Sequence, residues 1–155
     1  MLEKLAWMKR SAERIEKSLS CPDDVQDNFL SFTHASQLFY FYFSKWAKEV
    51  GKVESPKNLV KKYVASLSPS ESEIWNCLQE LRTEDVHTRP VKISNAERPE
   101  EMFLDGEQLF LDGEPLSLGE YRYEVHFGSR VFDVLSLCQI GLQAKAKFCD
   151  GFEHI

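Results

Sequence analysis

Between Asp24 and Val50 the chain carries a run that few folds can accommodate. Val25, Phe29, Phe32, Ser36, Phe39, Phe43, Ala47 and Val50 recur at steps of three and four, the spacing that lines one face of a helix. Leu30, Leu38, Phe41, Tyr42 and Trp46 widen that face until most of the circumference is apolar, so the helix must be covered on several sides. Phe39-Tyr40-Phe41-Tyr42-Phe43 has strand propensity when taken alone, but the flanking periodicity assigns it to the helix. Gly51 supplies the stop. The run lacks interleaved Lys or Arg, so its aromatics are read as core or dimer packing rather than as a platform for bases, and His34 within it as a packed or capped histidine.

The covering elements are legible on both sides. From residue 2 to about 19, Leu2, Leu5, Met8, Ala12, Ile15 and Leu19 form an apolar stripe with Lys9, Arg10, Glu13, Arg14 and Lys17 between them. Pro22 interrupts, and Asp23 and Asp24 suit the first turn of the long helix through its dipole. A shorter helix is expected over 56–66, with Leu59, Val60, Tyr63, Val64 and Leu67 as its apolar set and Lys57, Lys61 and Lys62 as a basic patch. Ser68-Pro69-Ser70-Glu71 is a helix start with a cap serine, proline at the first position and glutamate three residues on. Ile74, Trp75, Leu78 and Leu81 then form the buried stripe that leads to Arg82.

Past Pro90 the pattern changes. Residues 92–101 read as a polar connection holding Pro99, followed by a short duplication: Phe103-Leu104-Asp105-Gly106-Glu107-Gln108-Leu109 and Phe110-Leu111-Asp112-Gly113-Glu114-Pro115-Leu116. Each Asp-Gly is a turn signal between short strands. Tyr121, Tyr123, Val125 and Phe127 alternate with Arg122, Glu124 and His126, the pattern of a half-buried strand. Gly128-Ser129 is read as the cap of a last helix over about 130–149, with Val131, Val134, Leu135, Cys138, Leu142, Ala146 and Cys149 inward. The expected fold is therefore mainly α, an antiparallel helical bundle with a small antiparallel β-hairpin insertion, about 102–127, before the last helix.

Composition narrows the function. A chain of 155 residues with 43% hydrophobic and 12% aromatic content is expected to form one packed domain over residues 1–155. A formal charge of −6 weighs against a surface that tracks nucleic acid along its whole extent, though it leaves room for a local basic site. There is no apolar stretch long enough for a membrane span and no signal-peptide core, so a cytoplasmic protein without membrane association is expected. Cys21, Cys77, Cys138 and Cys149 are scattered without a CxxC pair and are read as free thiols, mostly buried; no metal and no cofactor is assigned. His126, on the polar side of its strand, and His154, near the end of the chain, receive no role.

The chemistry-bearing stretch is Leu81-Arg82-Thr83-Glu84-Asp85-Val86-His87-Thr88-Arg89-Pro90. Arginine is a permanent cation whose planar fork fits phosphate, and histidine passes protons near neutral pH. On an ideal helix five residues turn through about 500°, leaving Arg82 and His87 about 140° apart. They share a site only if the helix ends or bends within Thr83 to Thr88, as Pro90 encourages, or if two copies pool their residues across a twofold axis. Thr83, Glu84 and Asp85 are hydrogen-bonding neighbours able to orient the pair. A structural explanation also exists, because a helix C-terminus favours cationic side chains for dipole reasons.

With its Arg, four intervening residues and His near the end of a capped helix in a helical chain, the sequence resembles the HEPN superfamily. Those proteins are compact helical bundles, often homodimeric metal-independent ribonucleases of toxin–antitoxin and phage-defence systems. The resemblance implies catalytic roles for Arg82 and His87, an RNA substrate, a homodimer and an antitoxin or regulatory partner. Thr83 takes the polar place after the arginine, where asparagine, aspartate or histidine is more usual. Arg89 stands two residues after the histidine, which sets the chain apart from the subgroup silenced by nucleotidylation of a tyrosine there. The insertion is a second departure. Set against this reading is a non-catalytic helical interaction or regulatory module that uses the aromatic helix or the acidic hairpin as its contact surface.

Overall fold

Prolines set where three of the helices begin, because a residue without an N–H is tolerated only in a first helical turn. In the computed structural model, which describes residues 1–51, 54–87 and 93–153, helix α1 spans Leu2–Lys17 and α2 spans Pro22–Glu49, with Pro22 in its first turn. The long helix thus starts at the proline that was expected only to interrupt. Helix α3 spans Pro56–Ser66, capped by Ser55 accepting from the Asn58 N–H at 3.3 Å. Helix α4 spans Pro69–His87, and its start is a reciprocal box. The Ser68 N–H donates to Glu71 Oε2 at 3.1 Å, and the Glu71 N–H donates to Ser68 Oγ at 3.4 Å.

The helices pack α1 on α2, α2 on α3 and α4, and α5 (Val134–Glu153) on α1 and α4. Two apolar clusters result. One joins Met8, Ile15, Phe29, Phe32, Leu78, Leu81 and Leu137 to Val125 from the strand region. The other gathers Phe39, Phe43, Trp75, Ala144 and Phe148 under the partly buried Leu59, Val60 and Tyr63 of α3. The aromatic helix is covered as its periodicity requires on most sides. Phe41 and Tyr42 remain exposed, their rings edge to face at 5.7 Å.

The strand region is larger than the sequence pattern suggests. It begins within the stretch expected to be a polar connection and runs to Asp133. β1 (Ile93–Glu97), β8 (Arg122–Phe127) and β9 (Arg130–Asp133) form one antiparallel sheet in the order β1-β8-β9. Tyr123 and Val125 are buried as the alternation requires, and the Tyr123 hydroxyl donates to the Leu19 carbonyl at 2.6 Å. Gly128, at φ +59°, turns the chain back between β8 and β9 rather than starting a helix. Residues 130–133 are consequently strand, Val131 is exposed instead of inward, and the cap of α5 is Asp133, whose Oδ1 accepts from the Ser136 N–H at 2.7 Å.

Beyond this sheet the chain makes three two-stranded arms. β2 (Glu100–Glu101) pairs with β7 (Ser117–Leu118), β3 (Phe103–Leu104) with β4 (Glu107–Gln108), and β5 (Phe110–Leu111) with β6 (Glu114–Pro115). Each Asp-Gly is a two-residue reversal with both residues at positive φ: Asp105 at 51° and Gly106 at 86°, Asp112 at 52° and Gly113 at 86°. That is the turn whose twist matches a hairpin. The arms meet in a closed ring of backbone hydrogen bonds. Leu109 N–H donates to the Met102 carbonyl, Leu116 N–H to that of Leu109, and Met102 N–H to that of Leu116, at 2.8, 2.8 and 2.9 Å. Met102, Leu109 and Leu116 are seven residues apart, so the duplication seen in the sequence is two-thirds of a pseudo-threefold module.

Candidate functional site

Helix α4 carries the arginine and histidine singled out above, and its position is held from three directions. Its Leu78 and Leu81 are core residues. Gly141 of α5 lies so close that a Cβ there would meet Leu78 Cδ1 at 2.5 Å. Arg130 of β9 donates to Glu80 at 2.7 Å, and the carboxylate beside it raises the guanidinium pKa further. The helix remains helical through His87, without the expected break within its described part. Along such a helix the backbone positions of Arg82 and His87 are separated by about 7.5 Å of rise and about 140° of rotation. The side chains of Arg82, Thr83, Glu84, Asp85 and His87 lie outside the described residues, as do residues 88–92.

A second cluster, absent from the sequence reading, surrounds Lys145 of α5. The side chain is fully buried, and its Nζ has no hydrogen-bond partner. Instead it sits 4.1 Å from the centroid of the Trp75 ring and 5.1 Å from that of Phe39, a cation held by aromatic faces. Phe148 packs edge to face on Phe43 at 4.7 Å and on Tyr63 at 4.9 Å, closing the same region. The Tyr63 hydroxyl donates to the Ala144 carbonyl at 2.5 Å, and burial, aided by the negative charge of Glu71, pushes its pKa up to about 12. Burial pushes the Lys145 amine down to about 7. A neutral amine near pH 7 is a nucleophile, but complete enclosure keeps reactants away. What the arrangement can do is tie stability to pH.

One signal could have revealed this lysine. Gly141, Ala144, Lys145 and Phe148 follow the steps of three and four that define a helix face, with Lys145 at its middle. Two concavities flank these helices. A cavity of about 300 Å³ lies between α3 and α4, lined among others by Tyr40, Val60, Lys61 and Trp75. An apolar groove of about 390 Å³ runs between α1 and α5, with Leu2, Leu5 and Leu142 on its walls and Lys9 at its edge.

The cysteines behave as buried thiols. Cys77, Cys138 and Cys149 are enclosed, Cys21 is half-buried, and burial raises the Cys77 thiol to about 11. His34 is exposed, its ring 5.7 Å from that of Trp7. His126 is exposed as expected, and His154 lies outside the described residues. Among the described residues no group of three or more His, Cys, Asp or Glu is arranged to hold a metal ion, and no helix is long and apolar enough to cross a membrane. No family model matches the chain, and neither a curated protein nor a solved structure matches it.

Proposed function

We propose that the chain is a HEPN-like endoribonuclease whose working unit is a homodimer, with Arg82 of one copy and His87 of the other serving one cleft. The observation that carries this arrangement is the continuity of α4 through His87, which separates the two positions within one copy. A twofold axis that sets two α4 ends side by side removes that separation. In the reaction His87 takes the proton from the ribose 2′-hydroxyl as its oxygen attacks the adjacent phosphorus. The 5′-oxygen of the next nucleotide leaves and takes a proton from water, giving a cyclic phosphate end and a 5′-hydroxyl. Arg82 stabilises the charge that builds on the phosphoryl oxygens. Thr83, Glu84 and Asp85 orient the pair, and the protein would act as a toxin or phage-defence effector restrained by an antitoxin or regulatory protein.

The test is cleavage of a labelled RNA in the presence of a chelator by the wild type, by Arg82→Ala, by His87→Ala, and by the two variants refolded together. Each variant alone is expected to be inactive. Mixing restores cleavage, because the cleft of the mixed dimer then keeps one Arg82 from one copy and one His87 from the other. Full cleavage by His87→Ala, a requirement for a divalent ion, or inactivity of the mixture where both variants fold and dimerise would overturn the proposal.

A second reading is a non-catalytic interaction or regulatory module. The exposed three-armed strand region supports it, since no packing need of the helical body explains that surface. Wild-type protein that dimerises but leaves RNA intact is the outcome that selects it.

A further inference from the structure

The three-armed module departs from the rest of the molecule in two independent ways. No side chain from Glu100 to Glu120 is buried, and large apolar residues stand in solvent: Phe103 and Phe110 are each 57% exposed, with Leu104, Leu111 and Leu118 between 62% and 67%. The arms do not need these side chains to hold their shape. Short ladders, the positive-φ turns and the ring through Met102, Leu109 and Leu116 do that with backbone alone. Five large apolar side chains exposed within one small module, Phe103, Leu104, Phe110, Leu111 and Leu118, are available for an interaction, each Phe or Leu offering about 1.5–3 kcal/mol on burial.

Charge says what would cover it. From Glu100 to Glu120 there are seven carboxylate side chains and not one Lys or Arg. Among the described residues none of the seven lies within ion-pair distance of a cation. The surface therefore repels nucleic acid and anionic lipid, and attracts a partner of the opposite sign.

We infer that this module is a docking surface for a cationic amphipathic segment of another protein, one in which lysine or arginine alternates with large apolar side chains. The apolar residues cover Phe103 and Phe110, while the cations neutralise the surrounding carboxylates. Both parts are required. The inference holds whether or not Arg82 and His87 cleave RNA, and its test does not involve them.

The probe is a short fluorescent peptide of Lys, Leu and Phe in amphipathic order, titrated with the full chain and read by anisotropy. Its counterpart has Glu in place of every Lys, and phosphatidylcholine–phosphatidylglycerol vesicles serve as the lipid comparison. The wild type is expected to bind the cationic peptide alone, more weakly as salt rises. Phe103→Ser with Phe110→Ser should weaken binding about tenfold or more, the equivalent of about 1.4 kcal/mol or more. Glu100, Glu101, Glu107 and Glu114 changed together to Gln should weaken it as much without touching the apolar residues. Glu3, Glu13, Asp27 and Glu49 changed together to amides should leave it within about twofold, which separates docking from general attraction to an acidic protein. Unchanged affinity in the phenylalanine variant, equal weakening by the remote amides, or equal binding of the acidic peptide or the vesicles would overturn the inference. If the phenylalanine variant melts below the wild type, the Glu-to-Gln variant decides.

Discussion

Lys145 and Phe103 occupy each other's usual places. The helical body encloses a lysine amine among aromatic rings, while the strand arms hold phenylalanine and leucine out in water. Different forces hold the two regions in shape. Side-chain packing fixes the helices, so that even a lysine is retained where Trp75 and Phe39 face its Nζ. The arms are fixed by backbone hydrogen bonds and turn geometry, which leaves their side chains free for another purpose. Substitutions should consequently be costly in one region and nearly silent in the other.

The widest gap should separate two phenylalanines. Phe148→Ala empties the meeting point of Phe43, Tyr63 and Trp75 and is expected to cost about 3–5 kcal/mol in urea denaturation. Phe103→Ala should stay within about 0.5 kcal/mol. Similar losses at both positions would break the contrast.

Lys145→Met tests the buried charge. The amine has a folded pKa of about 7 against its ordinary 10.5, so between these values the unfolded chain binds the extra proton. Wild-type stability should therefore fall as pH drops from 10.5 to 7 through this group, and the full penalty remains below 7. The methionine variant should be more stable than the wild type by about 2 kcal/mol at pH 6, with the gain fading above pH 10. Denaturation curves of both proteins across that range check it; a gain that does not change with pH would mean that the amine binds its proton equally in the folded and unfolded chain, so that burial does not shift its pKa.

Gly141→Ala probes the tightest approach of α5 to α4. The added carbon would meet Leu78 Cδ1 at 2.5 Å, and displacing a core leucine is expected to cost about 1–2 kcal/mol. Because α4 also carries Arg82 and His87, the same variant should lower RNA cleavage if that proposal holds. Ser68→Ala, which removes the cap hydroxyl from the start of α4, should cost about 1 kcal/mol by thermal melting.

The same contrast explains what the sequence discloses. Periodicity and caps locate the helices to within a few residues because packing imposes both: the Ser68–Glu71 box and the stripe from Ile74 to Leu81 are found where they were read. Asp-Gly likewise announces each turn tip. Pairing between distant strands leaves a weaker mark, so β1 passes for a polar connection and β9 for the first turn of a helix. Lys145 escaped because lysine is ordinarily sorted to the solvent face, whatever its place in the heptad. At Arg82 and His87 the residue types and their spacing were readable, whereas the continuity of α4 through both positions was not, because proline near a helix end makes an earlier stop equally compatible with the sequence.

The ring at the base of the arms also limits how such a module can change in length. Four added residues, two on each strand, would lengthen an arm and leave Met102, Leu109 and Leu116 in register with the same kind of pair closing the turn, since hydrogen-bonded and non-hydrogen-bonded pairs alternate along an antiparallel ladder. A single insertion would instead send alternate side chains to the opposite face and pull one ring member out of reach. The tips are thus open to variation in even steps, while the junction tolerates none, and a surface built this way could alter its reach toward a partner without refolding its base.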